Sequence, residues 1–414
     1  MNRRRAVITG LGPITCIGKG REDFWRGIRA EKTGIGRVTS FDATPFNIRC
    51  VGEIPDWNPE EFFTPQRLKR LDRYAQFAVA SAKMALDDAG IDYSHDQPQE
   101  RIGVSFGTAL GGVCKAEENF IRFLKKGPRG IQPTLAVQVF GGSAHSNIAI
   151  DFGFSGVGTT NSNSCASGTV SVGEALRYIR DDFVDVVVAG GAEAPLTTIT
   201  VGAFDIIKTM SRAEDPEVAC RPFDKLRDGF VMGEGGASLI IEELEHARKR
   251  GAKIYAEVLG YSLNNDAFHM TKPLPTGDSC IRAMREALRD ADLAPEKIDY
   301  INAHASSTPL NDSSEIMSIK EVFGDHARKI PVSGTKAFTS HPLGATGAIE
   351  ATICALAIEH GWIPPTLHRD NPDPACDLDV VPHHGRAAEL NYVLSNSFGF
   401  GGINACIVLG KVRD

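Results

Sequence analysis

Short apolar runs alternate along the chain with longer stretches in which apolar residues recur every three or four positions. The short runs read as buried strands and the longer stretches as helices with one apolar face, which is the alternation of an α/β protein. The pattern predicts strands at Ala6–Thr9, Arg101–Phe106, Asp185–Ala189, Ala237–Glu242, Ile254–Gly260, Tyr300–Ala303, Ile330–Ser333, Tyr392–Asn396 and Ala405–Leu409. It predicts helices at Arg70–Ala89, Thr169–Arg180, Glu243–Arg250, Ser279–Asp290 and Ala348–Glu359. The basic end of the 243–250 helix runs into Gly251, a conventional helix stop. A new strand follows at once, so the chain divides into halves at 1–252 and 253–414.

Length supports that division, since 414 residues exceed one simple core. A faint internal echo adds to it. Cys165 is followed by Gly168 and Glu174, and His341 by Gly344 and Glu350 at the same offsets, each opening a helix rich in small residues. This reads as a two-fold duplication with one catalytic loop per half.

Composition narrows the function class. Apolar content of 42% with 23% charged residues is that of a soluble globular enzyme, and a net charge of −7 argues against binding nucleic acid. Nine cysteines lie far apart with no CxxC or Cys/His cluster, so neither a disulfide framework nor a metal site is expected, and a reducing cytoplasm fits best. The basic start at Met1–Arg5 precedes an apolar stretch broken by Gly10, which reads as a first strand and not as a targeting segment. No apolar window is long enough for a membrane span.

The most informative residue is Cys165. A polar, extended run (Thr160 to Ser164) stops at this thiol, and a helix of small residues follows. A cysteine at a helix N-terminus faces unpaired N–H groups and the positive end of the dipole, so a lowered pKa and a nucleophilic thiolate are expected. Three segments of the second half complete the picture. Ile301–Glu315 places His304 directly after a strand and before Ser306, Ser307 and Thr308. Val332–Gly347 contains Lys336 and His341. Ser395–Ala405 runs a strand into glycines around Phe398 and Phe400. Taken singly, a cysteine or a loop histidine is most often a packing residue; the ordered set is what carries chemistry.

These segments, with Arg221–Asp224, Arg227–Gly235 and Asp266–Thr271, resemble the β-ketoacyl-acyl carrier protein synthases, closely the elongating type II condensing enzymes, over essentially the whole chain. The resemblance implies a thiolase-like fold, two pseudo-duplicated halves forming a five-layered αβαβα sandwich with the active site between them. It implies a cytoplasmic homodimer that works with acyl carrier protein and needs no cofactor. Cys165 would accept the acyl chain. His304 and His341 would assist malonyl decarboxylation and stabilise the enolate, with Lys336 and Glu315 as the charged pair holding them. Backbone N–H groups of Cys165 and Phe400 would form the oxyanion hole, and Phe400 would gate the chain. Ser306 and Thr308 would contact the phosphopantetheine arm, and Leu110 and Phe398 would line the substrate path.

The sequence departs from the common pattern at Ser164 (usually alanine), at Ala305-Ser306 (usually Gly-Thr) and at Ser340-His341-Pro342 (usually Gly-His-Leu). These changes bear on substrate range and chain length, with a polyketide or specialised lipid role as open as fatty acid synthesis. The alternatives within the superfold are a thiolase, an initiating synthase and a non-catalytic chain-length-factor subunit. A second catalytic cysteine, an asparagine in place of His341, and loss of the nucleophile would respectively mark them.

Overall fold

The computed structural model describes residues 3–94 and 98–413. The first half runs β1 (Ala6–Thr15), α1 (Arg73–Ala89), β2 (Ile102–Gly107), α2 (Ser143–Phe152), β3 (Gly158–Asn161), α3 (Ser167–Arg180), β4 (Val186–Glu193) and β5 (Gly235–Glu243). The second runs β6 (Ala256–Asn265), α4 (Asp278–Asp290), β7 (Tyr300–Asn302), α5 (Pro309–Phe323), β8 (Val332–Ser333), α6 (Thr346–His360), β9 (Tyr392–Gly399) and β10 (Ile403–Gly410).

The two halves repeat one topology. In the first, the strands lie in the order β3-β2-β4-β5-β1, with β3, β2 and β4 parallel and the remaining pairs antiparallel. In the second, the order β8-β7-β9-β10-β6 carries the same parallel and antiparallel pairings. The sheets join where Ala6–Ile8 pairs with Ala256–Val258. Helices α3 and α6 pack on each other between the sheets, α1 and α2 cover the outer face of the first sheet, and α4 covers that of the second with α5 alongside it. The five αβαβα layers of a thiolase-like fold result.

Amphipathicity sorts the helices into layers. Along α6 every residue from Thr346 to Ile358 is buried, so it has no solvent face and can sit only in the central layer. By contrast, α4 turns Ile281, Met284 and Leu288 inward and leaves Arg282 in solvent.

Strand β1 corrects the sequence reading, for it continues through Gly10 to Thr15 instead of ending near Thr9. The glycines do not break it. A side chain on Gly10 would run into the Ala85 carbonyl of α1, and one on Gly12 into that of Ser81, so glycine here permits close helix-on-strand packing.

Candidate active site

Cys165 lies in a short 3-10 turn (Ser164–Ala166) that leads from β3 into α3. The matching turn before α6 is Leu343–Ala345, with His341 two residues ahead of it, and the two helices cross at their N-terminal ends through glycine. A side chain on Gly168 would press on Ala348 and Gly344, and one on Gly347 on Thr169. That crossing brings the two turns together. Cys165 Sγ is 3.0 Å from His341 Nε2, and His341 Nδ1 is 2.7 Å from Thr346 Oγ1. The His304 ring stands edge-on to His341 with centroids 5.5 Å apart, its Nδ1 buried without a protein partner among the described residues.

His304 is held through its backbone. Glu315 accepts the N–H groups of His304 and Ala305, each at 2.8 Å, and is itself bonded by Asn396 Nδ2 at 3.1 Å. The Lys336 ammonium donates to the His304 carbonyl oxygen from the side away from the cavity. The charged pair expected between Lys336 and Glu315 does not form. Lys336 pairs with Glu350 at 2.6 Å, both nearly fully buried, because α6 carries Glu350 directly behind the histidines. Glu315 spends its oxygens on N–H groups instead.

The cysteine's titration also differs from expectation. Burial pushes the thiol up, and this outweighs the Ser164 hydroxyl, the Lys336 charge and the Phe400 N–H, which act the other way. Burial likewise holds both imidazoles well below their ordinary value, assisted by Lys336. The resting site is therefore a neutral thiol against neutral imidazoles, with the sulfur's proton within reach of His341 Nε2.

A cavity of about 530 Å³ opens onto these groups. Cys165, His304, His341, Glu315, Ser306, Thr308, Leu110, Phe398 and Phe400 all line it; Lys336 does not. The hydroxyls of Ser306 and Thr308, both in its lining, bond each other at 2.9 Å. A run of rings also lines it, with Phe400 stacked on Phe204, Phe204 edge-on to Phe230, and Phe230 edge-on to His341. Gly399 lets β9 end against the Cys165 turn, since a Cβ there would lie 3.1 Å from the Cys165 nitrogen.

Sequence reasoning missed four supporting residues: Thr346, Glu350, Asn396 and Glu193. Glu193 ends β4 and accepts Thr108 Oγ1 (2.9 Å) and the N–H groups of Ala109 (2.5 Å), Leu110 (3.1 Å) and Gly344 (3.1 Å), tying the Leu110 loop to the His341 loop. Burial pushes its carboxyl up to about 7. An acid closing the apolar strand Val186–Ala192 was the available signal.

Comparison with known proteins agrees over the whole chain. Residues 3–247 match the family model of the β-ketoacyl synthase N-terminal domain, and residues 255–370 that of the C-terminal domain. A relative from Coxiella burnetii named 3-oxoacyl-[acyl-carrier-protein] synthase 2 is 41% identical, covering 100% of both chains. One of the same name from Synechocystis is 42% identical, covering 100% of this chain and 99% of the relative. Among solved structures, a type II polyketide ketosynthase bound to a hexaketide in complex with its acyl carrier protein superposes with a TM-score of 0.92 at 35% identity, covering 100% of both chains. The ishigamide ketosynthase/chain length factor gives 0.92 at 39% identity, covering 99% of this chain and 100% of that one.

Proposed function

The chain belongs to the β-ketoacyl synthase family, and from that premise we propose that it is an elongating 3-oxoacyl-acyl carrier protein synthase acting through Cys165, His341 and His304. The observation that carries this is the contact of Cys165 Sγ with His341 Nε2 in a cavity lined by both hydroxyl and aromatic side chains.

In the first half-reaction, Sγ attacks the carbonyl of an acyl thioester while its proton passes to His341 Nε2. The oxyanion is received by the N–H groups of Cys165 and Phe400. Collapse expels the carrier thiol, which takes the proton from His341. In the second, malonyl thioester places its carbonyl oxygen against the two imidazoles. Loss of carbon dioxide leaves an enolate stabilised by the His304 N–H and by His341 in its Nε2–H tautomer, with Nδ1 then accepting from the Thr346 hydroxyl, and the enolate carbon attacks the acyl group on Cys165. Cleavage of the C–S bond releases the sulfur as a thiolate, which takes one proton from solvent to restore the resting thiol, and the 3-oxoacyl product leaves on the carrier. Apart from that proton, every step uses only these side chains and backbone groups.

Acyl carrier protein is the partner that this chemistry requires, and Lys208 and Lys272 at the cavity mouth suit its acidic surface and phosphate. A homodimer in a cytoplasmic setting completes the reading; no described helix is long and apolar enough to cross a membrane. Retention of the cysteine beside two histidines favours a catalytic chain over a chain-length-factor subunit.

The test is intact mass after incubation with acyl-carrier thioester. Wild type gains the acyl group, and Cys165→Ala does not. His304→Ala still acylates but loses malonyl decarboxylation by about 10²–10³. His341→Ala slows both half-reactions, because the structure gives it the sulfur's proton as well. Acylation persisting in Cys165→Ala would overturn the assignment.

A further inference from the structure

Ser164 stands where alanine is usual and takes no part in the roles assigned above. Its backbone is at φ 53°, a left-handed conformation that costs a non-glycine residue free energy. The strained turn aims its side chain at the reacting atoms. Ser164 Oγ donates to Cys165 Sγ at 3.8 Å, within the longer reach of sulfur acceptors. The Cβ of Ser164 and the backbone nitrogen of Cys165 both lie against Gly399, immediately before the Phe400 N–H that points at the same sulfur. Ser164 also lines the cavity. Its hydroxyl has no other hydrogen bond among the described residues.

We propose that the Ser164 hydroxyl is a third hydrogen-bond donor at the reacting centre, beside the backbone N–H groups of Cys165 and Phe400. It keeps its proton throughout. In the resting enzyme it contacts the sulfur, and as charge develops it stabilises the departing thiolate or the oxyanion beside it. The other groups around the sulfur are His341 and His304 from the second half, Lys336 behind them and Glu193 from β4. The role in catalysis rests on the condensing-enzyme reading; the contact with sulfur does not.

Two variants separate the hydroxyl from the backbone. Ser164→Ala removes the donor and keeps the strain, whereas Ser164→Gly removes the donor and relieves it. Two readouts apply: the pH profile of Cys165 alkylation by iodoacetamide, and the rate of acylation by octanoyl-acyl carrier protein. In both variants the alkylation midpoint rises by about one pH unit and acylation slows about tenfold at unchanged KM. Unchanged profiles in both, or a defect in Ser164→Ala that Ser164→Gly cures, would overturn the proposal. Wild type that alkylates at Cys165 but never acylates would remove the condensing-enzyme reading, while the alkylation profiles would still decide the contact.

Discussion

Five non-glycine residues with positive φ flank the reacting groups: Ser164 before Cys165, Ala305 and Ser307 after His304, and Ser340 and Leu343 around His341. Ser340 stands at φ 61° and ψ −163°, a region populated almost only by glycine. It is tolerated because its hydroxyl fits where Gly52 and Gly233 have no side chains. The backbone just after it is pinned by His341 N–H to the Val231 carbonyl at 2.8 Å and Gly233 N–H to the His341 carbonyl at 3.2 Å. Ser340→Gly therefore relieves strain of about 1–3 kcal/mol against an added unfolded-state entropy of about 0.4–1 kcal/mol. The expected net is about 1 kcal/mol of added stability, read as a rise in the urea midpoint at constant slope. A fall in midpoint would show that the hydroxyl's packing outweighs the strain. Ala305 follows the same logic, its methyl facing Gly334, where a Cβ would come within 2.6 Å of it.

At the scale of elements, the edge of the first sheet is the unfinished feature. Strand β3 ends the strand order and has one unpaired edge within a single chain. Nearby in sequence, the helix Val113–Lys126 exposes Phe120, Ile121, Phe123 and Leu124, and the segment after it exposes Val137, Val139 and Phe140. An open strand edge and a cluster of exposed apolar side chains are each association sites by physical default. In solution the protein should have twice the 44.6 kDa chain mass by light scattering. The double variant Leu124→Glu, Phe140→Glu should be monomeric with its fold intact by circular dichroism. A wild-type monomer at every concentration would rule out the homodimer.

Across the whole molecule, folding keeps two imidazoles neutral. Burial holds His304 and His341 well below their ordinary value, so the unfolded chain binds two protons that the folded one refuses. A depressed folded-state pKa gives stability that is complete above the unfolded value, about 6.5, and lost as pH falls below it. Each imidazole costs about 1.4 kcal/mol per pH unit on that descent. Wild type should therefore lose stability between pH 6.5 and 5 more steeply than the double variant His304→Asn, His341→Asn, measured by urea unfolding. Parallel curves would mean that the imidazoles charge in place.

Read alone, the sequence determined the alternation of strands and helices and picked out the cysteine and the two histidines that the structure brings together. Those signals are local: hydrophobic period, helix stops and residues crowded into short loops. Only the tertiary structure decided which charges meet. Lys336 takes Glu350 because α6 passes behind the histidines, and Glu315 turns to backbone N–H groups, a choice set by helix crossing and not by spacing. It also reversed the expected ionisation of Cys165. A helix terminus is visible in the residue string, but the desolvation that opposes it arises only once two sheets close over the sulfur.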